Sequence, residues 1–221
     1  MPQILVHHLE KSRSLRILWL LEELDLPYEV RLYRRTPAFR APPELKQVHP
    51  LGKAPVVEID GVLLVESGAI TEGLVEDWGP QLKPSDPEAL RRYRYWMHYA
   101  EGSLMPPLLL RLILGKVREA PLPFFVKPIA RGIVDKVEQS YTQPELDLHL
   151  AWLQSNLSDH AWFAGETFSA ADVQMSYPVQ GARERGGLGA EQPAVLDWLA
   201  RIEARPAYQR AVERTAQAEA S

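Results

Sequence analysis

Cysteine is absent from the 221-residue chain. Its absence excludes disulfides, cysteine-rich zinc sites and any protein thiol nucleophile. Long apolar runs are missing too. The most apolar stretch, near Leu104 to Leu114, is broken by Pro106-Pro107 and Arg111 and is too short to span a bilayer. The opening Met1-Pro2-Gln3-Ile4 lacks the basic-then-apolar layout of a signal peptide, so the expected location is the cytoplasm, with no membrane partner. Neither charge sign dominates. The net charge is −4 with acids and bases interspersed, which leaves no footprint for nucleic acid. There is no internal repeat and no Gly/Ser-rich segment. No histidine spacing suits a metal: His7 and His8 are adjacent, and neighbouring strand residues face opposite sides. His98, His149 and His160 show no ligand spacing. No metal is expected.

What is present is ordinary for a globular chain. Hydrophobic residues make up 46% and charged residues 24%, enough for a sizeable core. The length admits one large domain or two small ones. Gln3 to Leu9 reads as a first strand. Leu15, Ile17, Leu18, Leu20, Leu21 and Leu24 follow at helical spacing with Glu22-Glu23 outward, and Ser12 or Ser14 is positioned as the helix cap. Tyr28 to Tyr33 is a second strand.

The stretch from Leu51 to Ser67 is the most informative. Val56 to Ile59 is β-branched and strand-like. Asp60-Gly61 closes a tight hairpin, and Val62 to Val65 returns. Ile70, Leu74 and Val75 then give helical spacing, with Glu66-Ser67 at the helix start. The first turn of a helix has free N–H donors and a positive dipole end, so Ser67 and its neighbours can receive a carboxylate. Glu66 sets a negative charge beside that anion site, a pairing that suits an α-amino acid zwitterion. Pro55 enters the strand without a donor, which leaves the Ala54 backbone free for another partner.

Trp78-Gly79-Pro80 ends this helix, and residues 81–85 read as a linker. Asp86-Pro87-Glu88 is a strong helix start. The long pattern after it should be kinked or interrupted at Pro106-Pro107. A further helical region runs from about Phe124 to Leu157, with a restart possible at Pro144-Glu145. Ser169 caps a buried helix that Asp172 answers. Arg205-Pro206 opens a last helix, and Glu213 to Ser221 is expected to fray.

Pro50-Leu51-Gly52-Lys53-Ala54-Pro55-Val56-Val57, the Asp60-Gly61 turn and Glu66-Ser67, taken with Ser12-Arg13-Ser14 before the first helix, resemble the glutathione-binding core of cytosolic glutathione transferases, in particular the bacterial and fungal branch. His49 and Ala54 depart from the family's usual Asn and Val. The resemblance runs from Gln3 to about Ala211. It implies a thioredoxin-like α/β domain over residues 1–80 and an all-helical domain over residues 86–221. It also implies a cis bond at Pro55, glutathione as co-substrate, and a homodimer. By the same resemblance Lys53, Ala54, Pro55, Glu66 and Ser67 hold glutathione, with His49 and Arg40 as further candidates. Arg13 and Arg16 could also face the site, though each reads more simply as a solvated helix residue, as do the other arginines nearby. The lack of cysteine removes the family members that reduce disulfides through their own thiol.

The implied chemistry converts a glutathione thiol to a thiolate that attacks a small hydrophobic electrophile. Ser12 or Ser14 is the candidate donor to the sulfur, with Ser12 favoured. Tyr95, Tyr99, Met105 and Leu109 are candidates to line the electrophile pocket. A non-catalytic binding protein on the same fold, or a glutathione-dependent peroxidase, is the alternative.

Overall fold

The computed structural model describes residues 2–220. Its N-terminal half is a four-stranded sheet of β1 (Ile4–Leu9), β2 (Glu29–Tyr33), β3 (Val56–Ile59) and β4 (Val62–Val65), in the order β2-β1-β3-β4. β1 and β2 are parallel, joined through α1 (Ser14–Glu23), while β3 pairs antiparallel with both β1 and β4. The β3–β4 hairpin turns on Asp60 (φ 49°) and Gly61 (φ 82°), the two left-handed positions such a turn requires. Short α2 (Leu45–Val48) drops Leu45 onto Leu9 and Tyr33 beneath the sheet. α3 (Ser67–Trp78) completes this thioredoxin-like unit. A 3-10 turn at Pro80–Leu82 occupies the start of the expected linker and buries Leu82.

The C-terminal half is helical. It comprises α4 (Pro87–Tyr99), α5 (Met105–Glu119), α6 (Lys127–Val137), α7 (Gln143–Asp159), α8 (Ala170–Arg185), α9 (Pro193–Glu203) and α10 (Pro206–Ala220). α4 starts as expected, with Asp86 accepting from the N–H groups of Glu88 and Ala89. The two expected proline joints each carry a π turn. The interruption after α4 is a π-helical turn at Ala100–Leu104, and Pro106-Pro107 sit just beyond it in the first turn of α5, where they remove N–H donors from a continuous helix. A second π turn, Glu138–Thr142, precedes α7, which restarts with Pro144 in its first turn as expected. Helix begins at Lys127 rather than near Phe124, and Phe124 and Phe125 are exposed before it. The tail expected to fray is helical through Ala220, anchored where the Arg214 guanidinium lies 5.2 Å from the Tyr28 ring centroid. Ser221 lies outside the described residues.

α8 is buried along most of its length and packs on α1, α3, α4 and α5. At its start buried Asp172 accepts from Phe163 N–H (3.0 Å), Ser169 N–H (3.0 Å), Ser169 Oγ (3.3 Å) and Trp198 Nε1 (2.9 Å). The two halves join through Trp19 of α1, edge-on to Tyr208 of α10 at 5.2 Å and tilted against Phe168. Trp19 Nε1 and Arg205 both donate to Glu23. These contacts hold the C-terminal part of α1 against the helical half.

Candidate active site

A cavity of about 1170 Å³ opens between the halves. Its sheet-side wall is basic, lined by Lys11, Arg13, Arg35, Arg40, Lys46 and Lys53. The facing wall, from α5 and α8, carries an apolar patch of Met105, Leu109, Leu112 and Ile113 beside Tyr177, with Lys116, Gln180, Glu184 and Arg185 also on the lining. A cluster of cations near an apolar patch suits an anionic peptide beside a hydrophobic second reactant.

Ser12 is nearly buried but on the cavity lining. Ser14 opens α1 behind it and is fully buried, off the lining. Ser14 N–H donates to Ser12 Oγ at 3.2 Å, the two hydroxyl oxygens are 2.6 Å apart, and Ser14 Oγ lies 2.8 Å from His8 Nδ1. Of the two candidate serines, only Ser12 reaches the cavity. Neither is the helix N-cap: that position is Arg13, without a side-chain cap, because both hydroxyls are engaged with each other and with His8.

Lys53, Ala54 and Arg40 line the cavity, and the Ala54–Pro55 bond is cis. His49 ends α2 and is not on the lining. Glu66 and Ser67 stand just beyond the cavity at the start of α3. Glu66 has φ 69°, a left-handed backbone that costs about 1–3 kcal/mol for a residue with a Cβ and clusters at ligand sites. Ser67 is buried and its Oγ accepts from Arg16 Nη1 at 3.2 Å.

Arg16 corrects the sequence expectation most sharply. It is not solvated but fully buried, and its Nη2 donates to Glu101 at 2.9 Å. Arg13 Nε shares the same carboxylate, 2.9 Å from each oxygen, and both guanidinium groups face the Tyr177 ring at 5.1 and 5.3 Å. Burial pulls Arg16 down to about 10 while Glu101 opposes it, so the group stays charged at neutral pH. This cluster ties Ser67 to the helical half. It could not be read from the sequence, because Glu101 is distant in the chain and stands in a π turn.

Burial alone would raise the Glu101 carboxyl, but Arg16 and Arg13 hold it below its ordinary 4.5. A depressed carboxylate adds stability that is complete above its unfolded value and is lost as pH falls through the native one. Glu101→Gln is therefore expected to lower Tm at neutral pH, with its gap to the wild type narrowing as pH falls below about 4.5. Thermal melts across that range check it; a gap constant with pH would assign the loss to packing alone.

The expected electrophile-pocket set divides. Met105 and Leu109 line the cavity. Tyr95 and Tyr99 do not. The Tyr99 hydroxyl pairs with His149 Nδ1, and Tyr95 packs on Trp96 and Trp152 and accepts from Trp152 Nε1 at 3.0 Å. Both face the seam between α4 and α7. Residues missed on the α5/α8 wall include Lys116, Glu184, Arg185, Tyr177, Leu112 and Ile113. The last two follow Leu109 on α5 at helical spacing, the one signal that would have found them.

A thioredoxin-like half, a helical half and a large cavity lined by both define a two-domain architecture. Models of the glutathione S-transferase N-terminal domain and C-terminal domain match residues 1–76 and 117–206. Glutathione S-transferase 3 of Schizosaccharomyces pombe is 39% identical over 96% of this chain and 87% of its own length. Glutathione S-transferase 1 of Saccharomyces cerevisiae is 37% identical over 94% of this chain and 93% of its own. A crystal structure of a glutathione S-transferase from Actinobacillus pleuropneumoniae superposes with a TM-score of 0.78 at 32% identity, covering 96% of this chain and 93% of that one. The chain belongs to the glutathione S-transferase family.

Proposed function

We propose that this transferase joins the glutathione thiolate to small hydrophobic electrophiles. The observation that carries the reading is the cavity itself: nearly buried Ser12 lines it together with the sheet-side cations and with Met105 and Leu109 of α5. In the reaction the thiol loses its proton to solvent and the sulfur forms a bond to an electrophilic carbon. Where that carbon bears a leaving group, the group departs with the bonding pair. Ser12 donates a hydrogen bond to the sulfur. Lys53 and Arg40 pair with the glycine carboxylate, and Ala54 presents its backbone to the peptide. Glu66 and Ser67 hold the γ-glutamyl end at the start of α3. Met105 and Leu109 pack on the electrophile.

Domains split over residues 1–80 and 86–221, a cytoplasmic location and a homodimer belong to the same reading. Exposed Val62 and Leu63 on edge strand β4 supply apolar surface for the dimer.

The test is transfer to a generic aryl halide together with calorimetry of glutathione binding. Ser67→Ala and Glu66→Ala are each expected to weaken binding by about 1–3 kcal/mol, the cost of leaving a buried partner unpaired. Unchanged affinity in both variants would remove the γ-glutamyl assignment. Tight binding without transfer to any electrophile would replace the enzyme reading with the binding-protein one.

A further inference from the structure

Behind Ser12 runs a chain of hydrogen bonds that ends in a buried imidazole. His8 is 2% exposed and Ser14 is fully buried. Three oxygens and nitrogens stand in sequence: Ser12 Oγ, Ser14 Oγ at 2.6 Å, and His8 Nδ1 at 2.8 Å from Ser14. Each hydroxyl has one proton to give, so the chain can point only one of two ways. In one, Nδ1–H donates to Ser14, Ser14 donates to Ser12, and the Ser12 proton is left for the cavity. In the other, Ser12 donates to Ser14, Ser14 donates to Nδ1, and Ser12 shows the cavity only lone pairs. The first arrangement stabilises a thiolate; the second repels it.

The far side of the ring chooses between them. His8 Nε2 is buried and has no partner. In the second arrangement that nitrogen carries the ring proton, leaving an orphaned buried N–H, the rarer kind of unsatisfied group. In the first it is a bare lone pair. Ser12 Oγ also accepts from Ser14 N–H at 3.2 Å. With Ser14 O–H added, its two acceptor positions are filled and only its proton remains. Burial also keeps the ring neutral, with its pKa down at about 4.

We propose that His8 is a positioning residue for transfer: held as the Nδ1–H tautomer, it directs the Ser14 and Ser12 protons outward, so that the Ser12 hydroxyl faces the glutathione sulfur as a donor. This rests on the reading of Ser12 as the thiol's partner. His8 touches no substrate; it acts through Ser14.

Two measurements test it. The first is the ring tautomer in the wild-type protein, from long-range proton–nitrogen NMR correlations of the histidines. An Nδ1–H tautomer supports the proposal, and an Nε2–H tautomer overturns it even if every variant fails to fold. The second is the thiol pKa of bound glutathione, followed by thiolate absorbance against pH. His8→Phe is expected to raise it by roughly 0.5–1 unit, the shift matching the loss of one neutral hydrogen bond. His8→Asn, whose amide N–H can take the place of Nδ1–H, should recover most of that shift. In a Ser12→Ala background, His8→Phe should add nothing, since residues of one network are non-additive. A full shift in that background would mean that His8 acts by packing alone, and the proposal falls. If Ser12→Ala itself leaves the bound thiol pKa unchanged, it is the Ser12 reading that has failed, and the relay falls with it.

Discussion

Ser12→Ala is expected to slow transfer by roughly 10- to 100-fold while changing glutathione affinity much less. The hydrogen bond lost is charge-assisted, worth about 1.5–3 kcal/mol when the acceptor is a thiolate. At 1.36 kcal/mol per decade that spans about one to two decades. The N-terminus of α1 adds about 0.3–1 kcal/mol of its own and survives the substitution. Affinity is spared because the two ends of the tripeptide are held elsewhere, at Lys53 with Arg40 and at Glu66 with Ser67. The pH profile of transfer to an aryl halide is the decisive readout: its acid limb should move to higher pH. Ser14→Ala should give a smaller change in the same direction, since Ser14 is buried and off the cavity lining. If Ser14→Ala has the larger effect, the assignment passes to Ser14. If neither changes the profile, Arg13, which lines the same cavity, becomes the donor to test.

Activation of the thiol is only part of the acceleration. Lowering a thiol pKa from about 8.5 to about 6.5 raises the thiolate fraction at pH 7 about 25-fold. Nucleophilicity falls by roughly 6- to 10-fold over the same change. The remainder must come from holding the electrophile beside the sulfur, the part given to Met105 and Leu109. Substitutions there should change preference among electrophiles more than they change the thiol.

The largest loss of stability is expected at Asp172. Burial pushes its carboxyl up to about 6, and the donors from Phe163, Trp198 and Ser169 oppose that rise, so at neutral pH it is a carboxylate accepting from all of them. Asp172→Ala leaves Phe163 N–H, Ser169 N–H and Trp198 Nε1–H buried without an acceptor, each worth about 1–3 kcal/mol. Relief of the buried charge offsets part of this, and the net loss should be about 3–5 kcal/mol. For a chain of this size that lowers Tm by roughly 10 °C. Asp172→Asn, which keeps one acceptor oxygen, should lose about half as much. A melt within 2 °C of the wild type for Asp172→Ala, against the roughly 2–4 °C that a single kcal/mol moves, would show that water or a rearranged loop satisfies those donors. Because α8 supports α1 and α3 alike, the same variant should also weaken glutathione binding before it unfolds.

What the sequence made legible follows from how local the signals are. Asp60-Gly61, Asp86-Pro87-Glu88 and Ser169 with Asp172 each specify structure within four residues, and each is found where it was expected. The cavity residues came from two short local motifs, Ser12 from the segment before α1 and Lys53 and Ala54 from the segment leading into β3. The Arg13–Arg16–Glu101–Tyr177 cluster has no such local signal. It depends on packing α1 against α8 and on the π turn at Ala100–Leu104 reaching α1 through Glu101, and an arginine on a helix carries no mark of the carboxylate it will meet. Tyr95 and Tyr99 failed for a different reason. In the sequence they fall with Met105 and Leu109 in one helical pattern, and a π turn at Ala100–Leu104 separates the two pairs, so that Tyr95 and Tyr99 meet α7 instead.

The π turn at Ala100–Leu104 that separates those two pairs has an evolutionary reading. A π turn accommodates one residue more than the α turn it replaces. Each residue of an α-helix advances the face by about 100°, so a single inserted codon turns everything downstream by that amount relative to what lies upstream. Removing one codon between Ala100 and Leu104 would reverse the rotation. The aromatic face of α4 and the aliphatic face of α5 would change their relation to the cavity without a single substitution in its wall. Substrate range on this scaffold can therefore diverge by a length change in one helix, and Glu101, which anchors Arg13 and buried Arg16 from inside that turn, is the residue that would resist it.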